Sequence, residues 1–305
     1  MTGPPRILVI KHSALGDFVQ AMGPFAAIRS HHPDARITLL TTRPLVELAR
    51  ASPYFDEIWV DRRPKPWDVP GLLRLRKMLR SARFQMVYDL QTSERSSGYF
   101  HMMGDPPWSG IAPHCSHPHA NPDRDRMHTL DRQAEQLRMA GITPTPPPDL
   151  SWIERDLRRH GLPARFVLLV PGGAPHRPGK RWPASQFLAL AQEIGRRGLV
   201  SVLIGGAGDQ EPIDVILASC PSAMSLAGHT DLLDIAAIAR RAVAAVGNDT
   251  GPMHLIAATG CRSVVLFSAE SDPALCAPRG LVTVLARDDL AHLSAAEVLA
   301  ALALP

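Results

Sequence analysis

Thr143-Pro144-Thr145-Pro146-Pro147-Pro148-Asp149 divides this chain, and what stands on either side of it decides the fold. Proline lacks the amide donor and restricts the residue before it, so the stretch is neither helix nor central strand but a stiff linker. Before it, strand and helix signals alternate. Residues 6–11 form a short β-branched and apolar run, and 17–30 follow with helical periodicity through Phe18, Ala21, Met22, Phe25 and Ile28. Strands are predicted at 36–41, 57–60, 86–90 and 109–111, with helices at 45–51, 72–82, 93–103 and 129–140 between them. After the linker the alternation restarts, with strands at 166–170, 200–204, 242–246 and 263–267. Helices are predicted there at 184–196, 212–218 and 232–240, from about 252, and at 295–302. Two successive alternating blocks predict an α/β protein of two doubly wound parallel sheets, with domains at 1–148 and 149–305. Ligands of such sheets sit beyond the carboxyl ends of the strands, which makes an interdomain cleft the expected active site.

The totals agree. A chain of 305 residues exceeds what one core usually organises. No run approaches the roughly 20 apolar residues of a membrane span, and the 7–10 run is too short for a signal-peptide core, so a cytoplasmic location is expected. Cys115, Cys220, Cys261 and Cys276 are scattered without C-x-x-C spacing, as reduced thiols would be. Residues 1–150 hold 19 Lys+Arg against 15 Asp+Glu, whereas 151–305 hold 14 against 14. All the excess positive charge lies in the first half, which predicts that an anionic partner docks there.

Three segments carry chemistry. His12-Ser13-Ala14-Leu15-Gly16-Asp17 follows the first strand and sets Asp17 at a helix N-terminus, where a carboxylate either caps the helix or serves a ligand. The segment lacks G-x-G-x-x-G and is no dinucleotide fingerprint, which counts against an NAD-linked oxidoreductase. Val170-Pro171-Gly172-Gly173 ends a second-half strand and leads to Lys180-Arg181-Trp182-Pro183. A cation just ahead of a helix opposes the dipole, so Lys180 is either a plain surface lysine or part of a phosphate site. Gly247-Asn248-Asp249-Thr250-Gly251-Pro252-Met253-His254 joins a buried strand to an apolar helix. Thr250 or Asp249 is expected to cap, three or four amides to remain free, and His254 to reach the same ligand unless it is only structural. That is the recipe for a diphosphate site.

Taken together, S-x-x-G-D at 13–17, the glycine turn with K-x-W-P at 180–183, and G-N-D-T-G-x-x-H at 247–254 resemble glycosyltransferase family 9, the ADP-heptose:lipopolysaccharide heptosyltransferases of GT-B fold. The resemblance covers essentially the whole chain. It implies inverting transfer of heptose from ADP-heptose to a lipopolysaccharide core or related glycolipid, without metal or cofactor. By matching position it implies Asp17 as general base and Lys180 as the cation that neutralises the leaving diphosphate. It also implies that Gly172, Asp249, Thr250, Gly251 and His254 line the diphosphate site. The residues suit that chemistry, since inversion needs a base beside the attacking hydroxyl, and the leaving nucleotide gains charge that Lys180 and helix amides stabilise.

Other segments are less specific. Gly205-Gly206-Ala207-Gly208-Asp209 follows a strand, and either Asp209 or Glu211 could bind ribose hydroxyls, the alternative being a plain turn. Arg62, Arg63, Lys65, Arg74, Arg76, Lys77, Arg80 and Arg83 stand against one acid, Asp68. With Trp67 and Phe84 as the only aromatics, no nucleic-acid stacking array exists there. The resemblance makes this the side meeting an anionic lipid-linked acceptor at the inner face of the cytoplasmic membrane, with Arg62, Arg63 and Lys65 as acceptor contacts. A solvated charged face is the alternative. Gln91, in the Asp89-Leu90-Gln91-Thr92 end of a first-half strand, is a further acceptor candidate by position. His114-Cys115-Ser116-His117-Pro118-His119 fits no standard zinc spacing. A monomer is expected. The competing function is a catalytically silent nucleotide-binding scaffold, against which the presence of both Asp17 and Lys180 argues. A transferase for another sugar nucleotide also remains, because nothing in the sequence reads the sugar.

Overall fold

The computed structural model describes residues 3–304 and divides into two compact units between Pro148 and Asp149. The first contains β1 (Arg6–Ile10), α1 (Leu15–Gln20), α2 (Met22–His31), β2 (Arg36–Thr41), α3 (Val46–Ala51), β3 (Glu57–Val60), α4 (Val69–Ser81), β4 (Met86–Asp89), α5 (Glu94–Met103), β5 (Trp108–Gly110), β6 (His117–Pro118) and α6 (Thr129–Met139). Its six strands are all parallel, in the order β3-β2-β1-β4-β5-β6. The second contains β7 (Phe166–Val170), α7 (Ala184–Arg196), β8 (Val200–Leu203), α8 (Gln210–Ser219), β9 (Met224–Ser225), α9 (Leu232–Ala239), β10 (Ala244–Asn248), α10 (Gly251–Ala258), β11 (Ser263–Phe267), α11 (Pro273–Cys276), β12 (Val282–Ala286) and α12 (Ala295–Leu302). Its order, again all parallel, is β12-β11-β10-β7-β8-β9.

Counted within each unit, both orders are the doubly wound 3-2-1-4-5-6. The strand order therefore reverses between β1 and β4 in one unit and between β7 and β10 in the other. Those switch points are where an open parallel sheet makes a crevice for ligand. The central strands earn their place by being apolar on both faces: every residue of β7 is buried, as are Ile7 to Ile10 of β1.

The structure departs from the sequence reading in several places. The helix predicted at 17–30 is two helices that turn at Ala21, because Pro24 has no N–H to give the Gln20 carbonyl four residues back. The strand predicted at 242–246 lies two residues later, at Ala244–Asn248, and reaches Asn248 because Gly247 pairs with Val170 on one side and Val265 on the other. Gly247 is small by necessity: a Cβ there would stand 2.7 Å from Val170 Cβ and from Met253 Sδ. The edge strand β12 lies where no element was predicted, although Val282-Thr283-Val284-Leu285 has the β-branched, apolar character of one. The two-residue edge strands β6 and β9 carry too little sequence to be seen. Residues 142–150 have no regular structure, and the linker packs on its own unit, with the Pro146 carbonyl where a Cβ on Gly23 would be. The four cysteines are free thiols. Among the described residues no helix is long and apolar enough to cross a membrane.

Candidate active site

In the second unit, the turns after β7 and β10 meet at the switch point, and Asn248 ties them together. Its buried amide donates to the Pro171 and Gly172 carbonyls, both at 3.0 Å, while its Oδ1 accepts the Trp182 N–H at 2.9 Å. One side chain thereby fixes the glycine turn and the entry to α7. Trp182, itself buried, anchors that entry by donating its indole N–H to the Leu293 carbonyl at 2.8 Å.

Ahead of α7, Lys180 Nζ donates to Asp249 Oδ2 at 2.5 Å, and His254 Nε2 lies 3.6 Å from Asp249 Oδ1. Burial alone would raise the Asp249 pKa, but His254, Lys180 and Ser271 outweigh it and hold the carboxyl well below the ordinary range. Asp249 is therefore an anion that orders two groups able to bind anions. Beside it, Thr250 stands at the N-cap position of α10, yet its side chain makes no capping bond. Thr250 Oγ1 is buried without a hydrogen-bond partner among the described residues. An orphaned buried hydroxyl is costly, by about 1–3 kcal/mol, unless a ligand completes it. The number of amides on offer is smaller than the sequence suggests. Pro252 has none, and Met253 and His254 both donate to the Thr250 carbonyl. At most the N–H groups of Thr250 and Gly251 remain.

Asp209 lies on the same crevice wall but is already engaged. Its carboxylate accepts from the N–H groups of Gly173 at 3.2 Å and Gly206 at 2.9 Å, and Arg181 stands 3.8 Å away. Gly172 must be glycine for this, since a Cβ would come within 2.3 Å of the Asp209 carboxyl carbon. Glu211, in the first turn of α8, is exposed.

The first unit's switch point is built the same way from different chemistry. Gln91 Oε1 accepts the N–H groups of His12 at 2.8 Å and Ser13 at 3.2 Å, and Thr42 Oγ1 donates to the His12 carbonyl at 2.5 Å. The turn so held presents Asp17, half-buried at the third position of α1, with Oδ2 accepting the Ala14 N–H at 3.1 Å. Lys11 is buried just behind and donates to the Leu90 carbonyl at 3.1 Å. Burial lowers its pKa, against the opposing pull of Asp17 and Asp89.

A second buried carboxylate, Asp61, orders the basic loop. Asp61 Oδ2 accepts the Tyr99 hydroxyl at 2.5 Å and lies 3.2 Å from His12 Nε2, and its Oδ1 accepts the Arg63 N–H at 2.7 Å. Arg63 has a left-handed φ of 51°, a conformation that this bond to Asp61 helps to hold. Burial lowers the His12 pKa despite the nearby Asp61.

With this geometry in view, the comparisons with known proteins are decisive. The model of glycosyltransferase family 9 (heptosyltransferase) matches residues 72–284. The chain belongs to glycosyltransferase family 9. It is 26% identical over 296 residues to lipopolysaccharide heptosyltransferase 2 of Escherichia coli K12, covering 87% of this chain and 83% of that protein. Among solved structures, a family 9 glycosyltransferase from Veillonella parvula matches with a TM-score of 0.85 at 23% identity, over 98% of this chain and 96% of that one. E. coli ADP-heptose lps heptosyltransferase II matches with a TM-score of 0.80 at 22% identity, over 97% of both chains. The fold is GT-B, and the protein is a glycosyltransferase.

Within this glycosyltransferase, Gly172, Lys180, Asp209, Asp249, Thr250, Gly251 and His254 gather at the second switch point, with Glu211 exposed at the start of α8. Asp17 and Gln91 gather at the first; Arg62, Arg63 and Lys65 are exposed on the loop after β3. Gln91 is occupied through its oxygen with the backbone of the Asp17 turn. The histidine-rich segment disperses: His119 faces Glu135 at 2.9 Å, His117 bonds Ser116, and Cys115 is buried. Sequence reasoning passed over Lys11, Asp61 and Asn248. A charged or amide residue at the end of a buried strand was the available signal for Lys11 and Asn248. Asp61 had the same position after β3.

Proposed function

We propose that this glycosyltransferase moves a sugar, heptose from ADP-heptose, onto a lipopolysaccharide core or related glycolipid, with inversion and without a metal ion. The observation that carries the donor half is the Lys180–Asp249–His254 cluster beside the orphaned Thr250 hydroxyl, at the switch point of the second sheet. A diphosphate there meets a cation, an imidazole, a hydroxyl and up to two helix amides, which together stabilise the charge that develops as the nucleotide leaves. Asp249 repels phosphate, so its part is to position Lys180 and His254 rather than to touch the ligand. Asp209 is engaged with two glycine turns, and the exposed Glu211 is the better partner for ribose hydroxyls. Asp17 is the base that takes the acceptor's proton, with Arg62, Arg63 and Lys65 receiving anionic groups of the acceptor.

The relatives named as lipopolysaccharide heptosyltransferases support the acceptor class, and a neighbour named for ADP-heptose supports the donor. On this reading the enzyme works in the cytoplasm as a monomer and meets its acceptor at the inner membrane. Thermal stabilisation by ADP-heptose, other ADP-sugars and UDP-sugars tests the donor, since a ligand at 100 times its Kd adds about 2.7 kcal/mol. Transfer in EDTA, with the product's anomeric configuration read by NMR, tests the mechanism. Stabilisation by a UDP-sugar alone, a retained anomer, or activity lost to EDTA and restored by Mg²⁺ would each overturn the corresponding part.

A further inference from the structure

Large apolar side chains are seldom left in water without reason when they cluster. Among the described residues, seven are exposed, and three of them fall within seven positions: Trp67 at 75%, Val69 at 56% and Leu73 at 58%. The core does not need them. Helix α4 docks through Leu75 and Leu79, and its opposite face carries Val69 and Leu73 four residues apart, with Lys77 continuing the row and Arg74 beside it. Trp67 precedes the helix, with Lys65 Nζ 5.1 Å from its ring centroid. The element is firmly built: Asp68 Oδ1 accepts the Gly71 N–H at 2.9 Å, and Gly71 must be glycine because a Cβ would stand 2.1 Å from that carboxylate. The only acid in the segment is thus engaged in the helix cap, and the exposed face is apolar at one end and purely cationic at the other.

We propose that this face, Trp67 with the outer side of α4, docks the enzyme on the surface of an anionic lipid bilayer. Apolar side chains beside a Trp enter the headgroup–acyl boundary while Lys and Arg meet lipid phosphates, so a bilayer satisfies both halves of the patch. A second copy of the chain would bring cations against cations across a two-fold axis. A nucleic acid would find one exposed aromatic ring, because Phe84 is buried. The choice of a bilayer also rests on the lipid-borne acceptor proposed above. A chain with no described membrane-spanning helix must meet such an acceptor from the surface.

The test is sedimentation of the full chain with acceptor-free vesicles. Binding is expected to phosphatidylethanolamine–phosphatidylglycerol vesicles and not to phosphatidylcholine ones, and it should weaken with salt. Arg74→Gln and Lys77→Gln should each lower the partition coefficient about five-fold, and Trp67→Ala or Leu73→Ser should lower it independently of salt. These positions are exposed, so all four variants should keep the wild-type melting temperature, and Trp67→Ala and Leu73→Ser should keep wild-type transfer to a delipidated, soluble acceptor. Wild-type protein that ignores anionic vesicles, or variants that bind as well as wild type, overturns the proposal. So does a dimer in solution that Leu73→Ser dissociates, which would make the occupant a second copy. Failure of wild-type transfer to the soluble acceptor bears on the function and leaves vesicle binding to be judged alone.

Discussion

On the proposed function Asp17 combines two roles in one side chain. Its carboxylate accepts the Ala14 N–H, as a cap does, and the proposed mechanism requires it to accept a proton from the acceptor hydroxyl. Asp17→Asn separates them, since an asparagine oxygen still accepts the Ala14 N–H but cannot act as a base. The melting temperature and donor Kd should stay near wild type while kcat falls about 10²–10⁴-fold. Near-normal single-turnover transfer would reduce Asp17 to a cap and favour a nucleotide-binding scaffold or another base. Asp89, across the sheet from Ile10, makes a prediction about stability. Burial is the main cause that raises its pKa, from 3.8 to about 6, against hydrogen bonds from Ser96, Thr92 and Gln91 and the charge of Lys11. Between about pH 4 and pH 6 the unfolded chain releases this proton before the folded chain does, so stability falls as pH rises, by about 3 kcal/mol in all once both are ionised. Asp89→Asn should therefore melt above wild type at pH 7.5 and lose that advantage at pH 4.5, read by thermal denaturation at both. An equal difference at the two pH values would show that the Asp89 charge is not what matters. The charges of Asp61 and Lys11 at strand ends were visible in the sequence, but what each binds was not, for a plain reason. Their partners lie 38 residues away for Asp61 at Tyr99 and 79 for Lys11 at Leu90, and no local pattern announces a contact that only the folded sheet creates.

At the scale of elements, the glycine turns and the helix starts were legible because backbone chemistry is local. The strand at Phe166–Val170 and the helices at Ala184–Arg196 and Ala295–Leu302 stand where their apolar periodicity places them. The misses share a cause as well. Strand β10 continues through Gly247 and Asn248, poor strand formers, because neighbours on both sides pair with it. Asn248 is the element-level clamp that results, and Asn248→Ala tests it. The substitution leaves two carbonyls and the Trp182 N–H without their partner in a buried place, so stability should drop by about 2–4 kcal/mol in urea denaturation. Donor KM should rise at temperatures where the variant remains folded, because the Gly172 turn and the approach to α7 are no longer held together. A variant with wild-type stability would mean that other contacts hold these turns.

The whole molecule is electrically lopsided. The excess of four positive charges lies in residues 1–150, and 151–305 are balanced. On the proposed function the donor grip comes from a nearly neutral unit and a few close contacts, whereas acceptor capture draws on a broad exposed cationic face. Rising ionic strength should therefore raise acceptor KM more than donor KM, because exposed charges are screened beyond about 10 Å at 0.1 M salt while close, partly buried ones are not. Arg63→Glu and Arg80→Glu should reproduce high salt in low-salt buffer. Steady-state kinetics across a salt series decides it: equal responses of the two substrates would mean that the basic face is merely solvated.

Both sheets run 3-2-1-4-5-6, and both place their working turns after the first and fourth strands. The chain thus carries one arrangement of strands and turns twice. One half bears a carboxylate on that arrangement and the other a lysine–histidine pair, so each can change under selection without disturbing its counterpart's hydrogen bonds. On the proposed function, a lineage exchanges its donor by changes in 149–305 alone while 1–148 goes on serving the same acceptor. Chimeras joined within the proline linker, taking each half from a different descendant, are the laboratory form of that history.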